Sequence, residues 1–167
     1  MSEDSVKDSA KDAASDAAGS APKEAATEVV SSAGGDDYIV VAEDSPPNRT
    51  ILVLLLRKMG FKVFECEDGD IAWKVLQENQ DKSIVAVVSD MMMPNMDGME
   101  LLRRTRADQK YSALPFVLVT AVSEKDYIFE AKNLQVNGYI LKPVTYKRVS
   151  QKIQELFPNK KIPKLAG

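Results

Sequence analysis

Four places in this sequence put a group able to handle phosphate or a hard cation directly after an apolar run. Glu43 and Asp44 follow Tyr38-Ile39-Val40-Val41-Ala42, and Asp90 follows Ile84-Val85-Ala86-Val87-Val88-Ser89. Thr120 follows Pro115–Val119, and Lys142 follows Gly138-Tyr139-Ile140-Leu141. Three carboxylates brought together repel one another and stay ionised only with cations nearby. Oxygen donors with room for water suit a hard divalent cation such as Mg²⁺. Lys142 adds a fixed positive charge. An acidic edge alone would repel a phosphate; a phosphate held through metal and lysine would be accepted. A carboxylate can attack phosphorus and form an aspartyl-phosphate. Metal and lysine then neutralise charge on the transferring oxygens, and the Thr120 hydroxyl can donate to one of them. Asp90 is the expected nucleophile.

These groups converge only if the runs that carry them are neighbouring parallel strands. The runs are short, continuous and β-branched, as expected for strands covered on both faces. Helical patterns separate them. Ser45 and Pro46 open the first, with Ile51, Leu52, Leu55, Leu56 and Met59 as its inner stripe, Val53 and Leu54 off it, and Gly60 as its stop. Lys62–Glu65 reads as a second strand, Asp68-Gly69 as a turn, and Ile71, Ala72, Val75 and Leu76 as the next stripe, with Trp73 beside it. Asp97 can cap the third helix, with Glu100 as capping-box partner, Leu101 and Leu102 inward, and Arg103, Arg104 and Arg106 solvated. Ser123 or Glu124 opens a helix carrying Ile128, Ala131 and Leu134. Thr145 caps a last helix that runs through Phe157 to Pro158, with Val149, Ile153, Leu156 and Phe157 inward. Five strand–helix alternations predict an α/β fold: a five-stranded parallel sheet in flavodoxin-like order 2-1-3-4-5 with helices on both faces. Strands one and three flank the switch point of that order, so their carboxylates should meet.

Composition narrows the chemistry. The 167 residues include no histidine, which excludes a Ser-His-Asp triad, a histidine-bearing zinc site and a histidine phosphoacceptor. The one cysteine, Cys66, lies in an alternating apolar run and reads as core filler. No apolar run reaches the ~18 residues of a membrane span, and no secretory h-region is visible, so a cytoplasmic location without membrane insertion is expected. The net charge of -3 is uneven: residues 1–37 hold 9 acidic residues against 3 lysines. Residues 38–157 are balanced and present no basic stripe for nucleic acid. Three divisions follow. Residues 1–37, rich in Ala, Ser and Asp, are expected to be a disordered acidic tail with a solubilising or tethering role; residues 38–157 are the folded domain; residues 158–167 are a loose basic tail.

Within residues 38–157, Val40-Val41-Ala42-Glu43-Asp44, Asp90-Met91-Met92-Met93-Pro94-Asn95-Met96-Asp97-Gly98, Val119-Thr120-Ala121 and Asn137-Gly138-Tyr139-Ile140-Leu141-Lys142-Pro143 together resemble a response-regulator receiver domain, most like the single-domain chemotaxis regulators. The resemblance implies that Asp90 is the phosphoacceptor for a histidine kinase. It implies that Asp44 and Asp90 ligate Mg²⁺ directly, Glu43 mostly through water, and Met92 through its backbone carbonyl. It implies a cis Lys142–Pro143 bond and a Lys142 that binds the phosphoryl group. Thr120 would move toward that group while Tyr139 turns inward. The readout would be phosphorylation-dependent binding of a downstream switch or phosphotransfer protein by the fourth helix, fifth strand and fifth helix. The leading role is control of a flagellar motor; a phosphorelay shuttle is the alternative. With ten residues after Phe157, output is expected to be by protein contact.

Three positions depart from the family pattern. Glu43 replaces the commoner aspartate, keeping its charge. Met92 and Val122 are apolar two residues after Asp90 and Thr120, where neither can orient an attacking water, so a long-lived acyl phosphate is expected. Two rivals fit less well. A haloacid-dehalogenase-type phosphatase needs its nucleophile in a DxD pattern after the first strand, and Glu43-Asp44-Ser45-Pro46 lacks it. A flavodoxin needs a hydroxyl-rich phosphate loop there, and this chain offers Glu-Asp and Pro-Pro.

Overall fold

The structure is a computed structural model that describes residues 36–121 and 125–163. The acidic tail to residue 35, the helix opening at Ser123 or Glu124, Val122 and Lys164 lie outside the described residues. Among the described residues, five strands alternate with five helices: β1 (Asp37–Ala42), α1 (Pro46–Lys58), β2 (Lys62–Cys66), α2 (Gly69–Glu78), β3 (Ser83–Asp90), α3 (Gly98–Ala107), β4 (Phe116–Thr120), α4 (Lys125–Asn133), β5 (Gly138–Leu141) and α5 (Tyr146–Leu156). All strand pairs are parallel, in the order β2-β1-β3-β4-β5. This is the fold expected from the sequence.

Alternate side chains of each strand enter opposite layers. Ile39, Val41, Ala86, Val88, Val117, Val119 and Ile140 pack with Leu52, Val53 and Leu56 of α1 and Val149 and Ile153 of α5. Val40, Ala42, Val87, Phe116 and Leu118 pack with Ala72 and Leu76 of α2, Leu101 and Leu102 of α3, and Ala131 of α4. Cys66 is fully buried in this second layer, where desolvation pushes its thiol up to about 12 and leaves it a packing residue. Each fully buried Leu contributes about 2 kcal/mol, so the two layers hold the strand ends in fixed register.

Several local expectations are corrected. In α1, Val53 is buried and Ile51 exposed, the reverse of the stripe read from the sequence. Ile51–Leu56 is uninterrupted apolar sequence and leaves the inward face undetermined; packing of α1 against both β1 and α5 selects it. Ile71, expected on the inner stripe of α2, is exposed. Ser45 occupies the N-cap position but its side chain makes no capping bond. Asp97 caps α3 by accepting from Glu100 N at 2.9 Å, but the Glu100 carboxylate turns to Arg103 and Arg104, whose charge-assisted bonds replace the reach back to the cap. Arg106 is no solvated residue. Its guanidinium donates to the carbonyls of Leu114, Leu134 and Gln135 and to Asn137 Oδ1 at 2.8–3.0 Å, tying α3 to the exit of α4. Residues 158–163, expected to begin a loose tail, lie against the domain: Ile162 joins the α1/α5 layer and Lys160 sits 4.6 Å over the Phe61 ring.

Candidate functional site

At the C-terminal edge of the sheet the ladder runs one residue beyond β1, β3 and β5. Glu43 N donates to Cys66 O, Met91 N to Val119 O and Lys142 N to Thr120 O, at 2.9–3.1 Å. These bonds align the strand ends, so the groups that follow them share one edge. Ligand atoms of Glu43, Asp44 and Asp90 lie within 4.8 Å of one another. The first turn of α3 closes on the same place: Gly98 N donates to Met91 O at 2.9 Å, and a Cβ at Gly98 would stand 2.2 Å from Asp90 O. Only glycine permits that approach.

Asp90 is 3% exposed. Its Oδ1 accepts from Met91 N at 2.9 Å, and Lys142 Nζ lies 3.1 Å from Oδ1 and 3.3 Å from Oδ2. Burial raises the Asp90 acid, and the hydrogen bond and charge of Lys142 oppose the rise. Glu43 is fully buried. Its Oε2 accepts from Ser45 N at 3.1 Å, while Oε1 has no hydrogen-bond partner among the described residues. Desolvation first, and the Asp90 charge second, push the Glu43 acid up to about 7. Asp44 is exposed at the mouth. A buried carboxylate oxygen without a donor, beside two further carboxylates, fits a hard divalent cation with an all-oxygen shell completed by water. Glu43, Asp44 and Asp90 are the side chains able to hold it.

The other expected residues are placed as follows. Thr120 is fully buried at the end of β4, its Oγ1 donating to Ala121 O at 3.0 Å. Tyr139 on β5 is half-buried against the α2/α3/α4 layer and donates to Ile128 O of α4 at 3.0 Å. The Lys142–Pro143 bond is cis. The Met92 side chain is exposed, while Met91 and Met96 are buried.

Sequence reading missed two sets of supports. Arg49 of α1 donates to Glu43 O at 2.8 Å and fixes the backbone after β1. Asp68 caps α2 through Ile71 N at 2.9 Å, and its other oxygen accepts from Asn95 Nδ2 at 2.6 Å, in the loop that follows Asp90. The Asp68-Gly69 turn ahead of a helical stripe could have signalled the cap; no local pattern signals the 27-residue contact to Asn95.

Comparison with known proteins agrees with this geometry. The family model for the response regulator receiver domain matches residues 39–154. The chain is 38% identical over 120 residues to the chemotaxis protein CheY of Pseudomonas aeruginosa, covering 71% of this chain and 94% of the relative. It is 36% identical over 120 residues to chemotaxis protein CheY-3 of Vibrio cholerae, covering 71% and 90%. Among solved structures, a response regulator receiver domain protein from Clostridium thermocellum superposes with a TM-score of 0.66 at 25% identity, covering 74% of this chain and 96% of that one. The coverage and identity, on a fold whose central strand ends in Asp90, establish that the chain belongs to the response regulator receiver domain family.

Proposed function

We propose that the protein is a CheY-like phosphorylation switch whose acceptor is Asp90. The observation that carries this reading is the buried Asp90 carboxylate paired with Lys142 at 3.1 Å and flanked by Glu43 and Asp44. An Asp90 oxygen attacks the phosphorus of a phosphohistidine on a partner kinase. The new P–O bond forms as the P–N bond breaks, and the histidine nitrogen keeps the electron pair. Glu43, Asp44 and Asp90, with the Met92 backbone carbonyl, would hold Mg²⁺, which when bound neutralises charge on the transferring oxygens. Lys142 exchanges part of its contact with Asp90 for a phosphoryl oxygen. Thr120 turns its hydroxyl from Ala121 O to another, and Tyr139 follows inward. Such a rearrangement is a local charge event biasing a two-state element. Met92, exposed two residues after Asp90, and Val122, two residues after Thr120 in sequence, have side chains with no polar group to offer an attacking water, which favours a long phosphoryl lifetime.

Output is protein binding in the cytoplasm. The chemotaxis names of the relatives support motor control as the role. The test is incubation with acetyl phosphate and Mg²⁺. The wild type should gain the mass of one phosphoryl group, metal-dependently, and Asp90→Asn should gain none; labelling of Asp90→Asn would overturn the assignment. Phosphorylated protein should then retain a flagellar motor-switch protein. Transfer to a histidine phosphotransfer protein instead would make it a relay shuttle.

A further inference from the structure

The loop between Asp90 and α3 is fastened at two points. At its ends, Gly98 N donates to Met91 O, so the segment leaves and rejoins the strand end at one place. At its far side it is bound to the start of α2. Gly69 N donates to Met96 O at 3.0 Å, and Asn95 Nδ2 donates to Asp68 Oδ2 at 2.6 Å. The second point is constrained from both directions. Asn95 holds φ at 68°, a left-handed conformation that Asn tolerates better than most residues. A Cβ at Gly69 would stand 2.3 Å from Met96 O. Asp68, 7% exposed, uses one oxygen for the α2 cap and the other for Asn95. Met92, Met93 and Pro94 lie between the two fastenings.

We propose that Asp68 and Asn95 are positioning residues for the metal site: their hydrogen bond fixes the Asn95 end of the loop and so sets the placement of the Met92 carbonyl beside Glu43, Asp44 and Asp90. This rests on the reading above that these groups hold Mg²⁺. Neither residue touches the ion. The pair acts as an outer support, and loss of such supports commonly weakens metal affinity about tenfold or more. A bond between a buried carboxylate and an amide, closing 27 residues of chain, resists displacement far better than the exposed loop could alone.

The test uses Mg²⁺ itself, titrated calorimetrically into the unphosphorylated full chain. Asp68→Ser keeps a good α2 cap but cannot reach Asn95. Asn95→Asp keeps a residue that tolerates positive φ but places like charges together. Each should bind Mg²⁺ about tenfold more weakly than wild type. The exchange double variant Asp68→Asn with Asn95→Asp restores a donor and an acceptor, keeps a capping oxygen, and should recover wild-type Kd to within about threefold. A merely structural role would lower unfolding midpoints in the single variants and leave the Kd of the folded protein unchanged. Single variants with wild-type Kd, or a double variant no better than Asn95→Asp, overturn the proposal. Failure of the wild type to bind Mg²⁺, or an Asp90→Asn variant that binds as tightly, would instead refute the metal-site reading.

Discussion

Replacing Glu43 by Gln should stabilise the metal-free protein, and by an amount that depends on pH. Glu43 is fully buried, and one of its oxygens has no donor among the described residues. Burial and the neighbouring Asp90 charge raise its acid from 4.5 to about 7. In the unfolded chain it titrates near its ordinary value. Between these values the folded state binds more protons than the unfolded state, so stability falls as pH rises. Below about pH 4.5 the acid is protonated in both states and the penalty vanishes. Above about pH 7 the whole penalty is present, and a rise of this size corresponds to about 3 kcal/mol. Asp90, raised by burial in the same sense, adds to the slope in both proteins. Glu43→Gln keeps the shape, removes the charge, and can donate its amide to Asp90. Urea unfolding in a chelator should therefore show the variant more stable than wild type by about 3 kcal/mol at pH 8, with the gap closing toward pH 4.5. With Mg²⁺ at saturation the order should reverse, because wild type keeps a charged ligand and gains binding free energy. Parallel pH dependences for the two metal-free proteins, or a variant less stable at pH 8, would refute the reasoning.

Two further outcomes follow from the same edge of the sheet. Gly98→Ala places a methyl group 2.2 Å from Asp90 O and 3.0 Å from Met91 Cα, both main-chain atoms that cannot swing away. It should cost about 3 kcal/mol in urea unfolding and slow acetyl-phosphate labelling of Asp90; an unchanged midpoint would show that the α3 terminus moves freely. Met92→Asn supplies a polar group at an exposed position on the loop after Asp90. The phosphorylated variant should lose its phosphoryl group several-fold faster than wild type in a timed dephosphorylation assay, and a rate no faster would remove Met92 as the determinant of lifetime.

The sequence by itself determined the alternation of elements, the parallel sheet and the groups at its edge. Strands covered on both faces must be nearly all apolar, so a polar group directly after such a run stands out at once. Glu43, Asp44, Asp90, Thr120 and Lys142 were legible for that reason. Adjacency was not written in any local pattern. The burial of Val53 rather than Ile51 follows from where α5 lies, because six consecutive apolar residues present no preferred face. Arg106 reads as one more surface cation until the ends of β4, α4 and β5 bring four acceptors to its guanidinium. The tertiary structure alone decided that Glu43 loses its water while Asp44 keeps it. It also decided that Asp68, a turn residue by sequence, reaches across to Asn95. Solvation and long-range hydrogen bonding depend on which segments become neighbours, and that is fixed only when the layers close on the sheet.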